Sequence, residues 1–202
     1  MLDLAVERGW FERGCRLVVG VDEAGRGPLA GPVVAAAVAV GPGAPVLEGI
    51  ADSKLLSARR REDLAAAIVS SLPHAVAAAS VREIDRLNIR RATALAMRRA
   101  LRRLKLEGGV VLVDGLPVPE LERDHEAMVD GDARCFAIAC ASIVAKTVRD
   151  RLMMKLAGRH PAYGWDRNAG YGTEEHRAAI ARVGVTRHHR QSFEPVAQLG
   201  IW

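Results

Sequence analysis

The amino-acid sequence predicts an α/β domain built on a mixed sheet. Two apolar runs, residues 17–21 and 33–40, stand close together near the start, and helical and apolar segments then alternate. Half of the 202 residues are hydrophobic, enough to bury a sizeable core in one domain, or in one domain with a small appendage. Residues 17–21 form a first strand that ends in Asp22 and Glu23. Residues 33–40 are apolar without interruption, as in a strand covered on both faces, and Gly41-Pro42-Gly43-Ala44-Pro45 ends them. Ser57 opens a charged helix to about Ser71, with Leu64 and Ile68 on one face, and Pro73 stops it. A third strand runs from His74 to Ala79.

Ser80 and Glu83 have the Ser-x-x-Glu spacing of a capping box and open one long helix, to about Leu106. Leu87, Ala94 and Leu101 recur on it every seven residues. Arg90, Arg91, Arg98, Arg99, Arg102 and Arg103 crowd elsewhere, as a solvated face ahead of a nucleic-acid contact. Gly108-Gly109 leads into a strand over 110–113 that ends at Asp114. Pro117 and Pro119 mark a loop, and residues 127–129 form a short fifth strand before Asp130-Gly131-Asp132. A helix runs from Phe136 to about Leu156, an irregular glycine-containing stretch follows His160-Pro161, and a short helix spans 174–182. There is no internal repeat and no low-complexity linker.

Charge and cysteine usage narrow the setting. The net charge is +5 and the pI about 9.6, which suits a polyanionic partner without requiring one. Of 29 basic residues only Lys54, Lys105, Lys146 and Lys155 are lysines, leaving 25 arginines, the residue type suited to bidentate phosphate contacts. Cys15, Cys135 and Cys140 have no metal-type spacing and read as small packing residues. Asp3, Glu7 and Arg8 interrupt the start as no signal peptide would allow, and no run of 18 uncharged apolar residues spans a membrane. A reducing cytoplasm is the expected compartment.

The most informative stretch is Val21-Asp22-Glu23-Ala24-Gly25-Arg26-Gly27-Pro28-Leu29-Ala30-Gly31-Pro32. Acidic residues at a strand end, beside backbone that only glycine can bring close to a ligand, suit a metal and phosphate site. A plain hairpin turn needs glycine at one or two places, not Asp-Glu before it or Arg between two glycines.

This stretch resembles the signature of the type 2 ribonucleases H, the bacterial ribonuclease HII family. Further blocks resemble the family in its own order: Asp52-Ser53-Lys54, residues 83–89, Val113-Asp114-Gly115, residues 141–150, Gly170-Tyr171 and His188-His189-Arg190-Gln191-Ser192-Phe193. Together they cover residues 18–193. The resemblance implies the ribonuclease H-like fold, a five-stranded mixed sheet with helices on both faces. Residues 1–158 would be the catalytic domain, and residues 159–202 a helical appendage walling the substrate groove.

It also implies an endonuclease that hydrolyses RNA in RNA–DNA hybrids and cuts 5′ of ribonucleotides embedded in duplex DNA. The products would carry 3′-hydroxyl and 5′-phosphate ends, and the tasks would be ribonucleotide and primer removal. Two divalent ions, ~3.5–4 Å apart, would activate the water and relieve charge on the leaving oxygen. Mg²⁺ or Mn²⁺ fits an all-carboxylate site. Asp22, Glu23 and Asp114 match the family's first three acidic ligands and would converge if their strands lie side by side. Asp132 aligns with the fourth, ahead of Asp130 and Asp150. Gly25, Arg26 and Gly27 would present backbone to the 2′-hydroxyl that distinguishes RNA from DNA, and Tyr171 would pack on the sugar.

Lys54 and Lys146 would be phosphate or site-ordering charges with Ser53 and Ser142 nearby, although Lys146 reads nearly as well as a solvated helix lysine. Ala169 and Gly172 stand where the family has Lys and Pro, implying one lost phosphate contact and a looser tyrosine loop. His188 and His189 point apart and read as structural or surface groups. The chain reads as a monomer. Its tail, Gln198 to Trp202, is apolar enough to suggest a sliding-clamp peptide, but packing on its own domain is the commoner fate. A junction resolvase of the same fold, or a catalytically dead hybrid binder, would be told apart by cleavage of a duplex with one ribonucleotide beside an all-DNA duplex.

Overall fold

The computed structural model describes residues 2–105 and 108–199. Five strands are β1 (Val18–Ala24), β2 (Val33–Val40), β3 (His74–Ala79), β4 (Val110–Asp114) and β5 (Glu126–Met128). They lie in the order β3-β2-β1-β4-β5, with β2 antiparallel to β1 and β3, and β4 parallel to β1 and β5. The helices are α1 (Ala5–Glu12), α2 (Ala58–Ser71), α3 (Val81–Leu87), α4 (Ile89–Leu104), α5 (Phe136–Arg159), α6 (Trp165–Asn168) and α7 (Glu174–Val183). The five-stranded mixed sheet covered by helices is the fold the sequence predicts.

The alternation of strand side chains decides what each face meets. On β1, Val18 packs in the cluster with α2 and α5, whereas Val19 and Val21 pack in the one with α4. β2 is buried along its whole length, as its uninterrupted apolar run predicts. Gly20 lets α5 sit directly on β1: a Cβ there would lie 2.1 Å from the Ala137 carbonyl carbon. A third apolar cluster joins Leu29 and Ala30 to Tyr163, Trp165, Ile180 and Val196.

Two elements differ from the sequence reading. The capping box at Ser80 and Glu83 is present, but the helix it opens ends at Leu87. Asn88 takes φ +68°, and its side chain accepts from the Arg91 N–H, starting α4 afresh. The expected end near Leu106 falls outside the described residues. Helix α1 has no counterpart in the sequence reading. It has no side-chain cap and a charged composition, so local signals are weak. Its fully buried Glu7 accepts from the Ala137 N–H at 2.8 Å and the Cys135 thiol at 3.2 Å. A carboxylate thereby caps α5, a helix that lacks a side-chain cap of its own.

Four of the six α4 arginines are engaged with their own fold. Arg99 pairs with Glu83 at 2.6 Å, Arg90 with Glu120 at 2.7 Å, Arg98 with Glu122, and Arg103 donates to the Val76 carbonyl at 2.7 Å. The Arg99 contact holds the Glu83 carboxyl down at about 2. No helix among the described residues is long and apolar enough to cross a membrane.

Candidate active site

Parallel pairing of Val21 with Val113 sets the next residues, Asp22 and Asp114, abreast at the strand ends. Leu112 packs in the α5-side cluster with Val18, so the alternation sends Asp114 and Asp22 to that same face. Asp132 joins them through the loop after β5. There Asp130 adopts a left-handed φ of +53°, and the Asp114 carboxylate accepts from the Gly131 N–H at 2.7 Å and the Asp132 N–H at 3.3 Å. Asp130 remains exposed and Asp132 turns inward, 4% exposed. Carboxylate oxygens of Asp22, Asp114 and Asp132 lie within 4.8 Å of one another.

Of the other acidic candidates, Glu23 sits beside the triad and Asp150 lies away from it. Glu23, one residue on from Asp22, emerges on the opposite side of β1 and pairs with Arg26 at 3.2 Å. Asp150 is held on α5 by Lys146 at 2.7 Å and Arg61 at 3.2 Å. Lys146 is thus an intrahelical ion-pair partner, although it also lines the groove beside the triad. Lys54 bonds Asp132 at 3.0 Å, which raises its own pKa. Ser53 meets Ser142 of α5 in a buried 2.9 Å hydroxyl contact, anchoring the Lys54 loop to the helix behind the triad.

A groove of about 330 Å³ brings Asp22, Glu23 and Asp114 together with Gly25, Arg26, Gly27, Ser53, Lys54, Lys146 and Tyr171. Gly25 has φ +96°, and a Cβ there would fall 1.9 Å from Arg149 Nε. Glycine is required at this position by the arginine packed behind it. Gly27 faces Tyr171, whose ring lies 3.7 Å from where a Cβ would be. Tyr171 is 46% exposed, and its carbonyl accepts from His176 Nδ1 at 2.9 Å. The Arg177 guanidinium also bonds the Gly172 carbonyl at 2.8 Å.

His189 is buried. Its Nδ1 accepts from the Thr186 N–H at 2.9 Å and its Nε2 lies 3.2 Å from His176 Nε2; burial lowers its pKa to about 4. It is a structural group, as read from the sequence.

Sequence reasoning missed two buried arginines behind the turn. Arg149 donates to the Ala30 and Pro32 carbonyls, both at 3.2 Å. Arg190 donates to the carbonyls of Gly25 at 2.5 Å, Arg26 at 2.8 Å and Gly31 at 3.0 Å. Both stand in blocks that resemble the family, but only the folded chain shows what they touch. The tail beyond Leu199 lies outside the described residues.

The electrostatics suit a cation. Burial first, and the neighbouring Glu23 and Asp114 charges next, push the Asp22 carboxyl well above its usual range. Burial likewise raises Glu23, and burial together with Asp132 raises Asp114. Crowded, desolvated carboxylates are stabilised by positive charge, and one lysine against three carboxylates is too little. An all-oxygen donor set at this spacing fits a hard divalent ion such as Mg²⁺ or Mn²⁺.

Comparison with known proteins agrees with this geometry. The model of the ribonuclease HII family matches residues 19–196. Ribonuclease HII of Paracoccus denitrificans is 52% identical over 198 residues, covering 98% of this chain and 94% of that protein. The crystal structure of ribonuclease H2 from Pyrococcus horikoshii superposes with a TM-score of 0.76 at 26% identity, over 91% of this chain and 96% of that one. RNase HII of Archaeoglobus fulgidus, solved in complex with PCNA, gives a TM-score of 0.73 at 26% identity, over 88% and 95% of the two chains.

Proposed function

The chain belongs to the ribonuclease HII family, and on that premise we propose how it selects and cuts its substrate. It is a divalent-metal-dependent ribonuclease H that acts on RNA–DNA hybrids. The finer reading is that it also cuts duplex DNA on the 5′ side of an embedded ribonucleotide, for ribonucleotide and primer removal. One observation carries this reading: Asp22 and Asp114 of the acidic triad line one groove with the Gly25–Gly27 turn and Tyr171. A scissile phosphate at the triad would then have its adjoining sugar beside the turn.

Asp22, Asp114 and Asp132 would hold the ions, with Glu23 completing the set from the opposite side of β1. Two bound Mg²⁺ or Mn²⁺ ions would supply water activation and charge relief at the leaving oxygen. Water adds to phosphorus, the P–O3′ bond breaks, and the leaving oxygen takes a proton, giving 3′-hydroxyl and 5′-phosphate ends. Lys54 holds Asp132 in place and would exchange that contact for a substrate phosphate when a metal takes the carboxylate. Lys146 stands on the same wall. The ring of Tyr171 offers an apolar face to the sugar. Residues 159–202 act as an appendage that walls the groove; supporting this, the Leu29 N–H donates to the Gly170 carbonyl at 2.8 Å and Ala30 bridges to His189. Because these groups come from one chain, we propose that it acts as a monomer.

The test is cleavage with Mg²⁺ of a duplex carrying one ribonucleotide, beside the same duplex in DNA alone. Cutting on the 5′ side of the ribonucleotide, with the DNA duplex untouched, is the expected result. Equal cutting of both, or of neither, overturns it.

A further inference from the structure

The Gly25–Gly27 turn has a polarity that its own sequence does not explain. The Gly25 and Arg26 carbonyls both point at Arg190 Nη atoms, at 2.5 and 2.8 Å. A trans peptide is planar, so its C=O and N–H point opposite ways. The N–H groups of Arg26 and Gly27 must therefore face away from Arg190. Neither finds a hydrogen-bond acceptor among the described residues. Gly25, Arg26 and Gly27 line the groove, so two free donors belong to the turn at that wall.

Arg190 is built to impose this arrangement. It is fully buried, forms no ion pair among the described residues, and also donates to the Gly31 carbonyl at 3.0 Å. The Phe193 ring lies 4.9 Å from its guanidinium and holds the fork from the other side. Burying a cation against carbonyls alone is costly, and a lysine could not span three acceptors in one plane.

We infer that Arg190 is a positioning residue for ribonucleotide selection: its guanidinium fixes the turn so that the Arg26 and Gly27 N–H groups can donate to a ribose 2′-hydroxyl. This rests on the reading that the turn meets that hydroxyl. A DNA sugar offers no oxygen there, so the donors would lie buried without a partner.

The test is competition binding without divalent ions, where no cutting occurs. A labelled duplex with one ribonucleotide is displaced by the same unlabelled duplex or by its all-DNA counterpart. The wild-type chain prefers the ribonucleotide duplex, and Arg190→Lys lowers that preference by about tenfold, the worth of one well-aligned hydrogen bond. If the wild-type chain shows no preference, the reading of the turn itself fails. If it does and Arg190→Lys retains the preference in full, or loses affinity equally for both duplexes, Arg190 is not a positioning residue. Should Arg190→Lys not fold, Phe193→Leu loosens the fork without removing it. A fall of about threefold in the same preference supports the inference, and an unchanged preference overturns it.

Discussion

Asp22 and Glu23 are neighbours in sequence and lie on opposite sides of a strand in space. The sequence shows two carboxylates together; it does not show that only the first shares a face with Asp114. That follows from the register of β1 against β4. The family resemblance, counted from the block at 141, puts Asp132 ahead of Asp130, and the left-handed Asp130 explains how two carboxylates two residues apart come to differ in burial. Asn in place of Asp22, Asp114 or Asp132 removes ligand charge and keeps shape, so each is expected to cost on the order of 10² or more in kcat. Asp130→Asn and Asp150→Asn should leave kcat within a few-fold. Steady-state assays at saturating Mg²⁺ decide this, and a fully active Asp114→Asn would dismantle the site. Tyr171→Ala removes a ring at the groove wall. A loss of about ten- to a hundredfold in kcat/KM is expected on a duplex with one ribonucleotide, and less on a continuous hybrid. An equal loss on both would make Tyr171 a packing residue.

At the scale of elements, strands were the easier reading. Apolar runs and their breaks mark all five within a few residues, most plainly β1 and β2, where burial on both faces leaves little freedom in composition. Helices joined by local devices were harder. Asn88 caps α4 by reversing its own backbone; asparagine suits both a cap and a positive φ, but one such residue inside a continuous helical pattern is a weak signal. Helix α1 packs Val6, Trp10 and Phe11 on the core, and its Glu7 carboxylate finds partners about 130 residues away, an association no local pattern encodes. Glu7→Gln weakens a charge-assisted cap in a dry site and should cost about 1–3 kcal/mol. For a chain of this size that is roughly 2–12 °C in Tm. A thermal melt within 1 °C of wild type would show that the α5 N-terminus needs no such carboxylate.

Across the whole molecule, the acidic cluster of Asp22, Glu23 and Asp114 sets stability against chemistry. Asp22, Glu23 and Asp114 have native pKa values raised above their ordinary ones. Between the ordinary value, 3.8 for an aspartate, and the raised native value, the folded chain holds protons that the unfolded chain has released. Stability of the metal-free protein therefore falls as pH rises through that window and is fully present below it. A divalent cation binds the ionised form of the cluster, so Mg²⁺ or Mn²⁺ should raise Tm at pH 7.5 far more than at pH 4. Asp22→Asn should melt above wild type at pH 7.5 without metal, by about 2–4 °C per kcal/mol relieved. It should also gain less on adding Mg²⁺. A metal-free Asp22→Asn that melts below wild type at pH 7.5 would mean that the cluster carries no such repulsion.

The reach from Arg190 back to Gly25 spans 165 residues, and a chain emerges from the ribosome in one direction. All four proposed metal ligands have been made by residue 132, whereas the side chain that shapes the turn arrives 58 positions later. At ~5–20 residues per second, seconds separate the two. In the order of synthesis, the means of cutting precede the means of restraint. A ribosome that stalls between those points, or a protease that cuts between Asp132 and Arg190, leaves the carboxylates in place and takes away the guanidinium behind the turn.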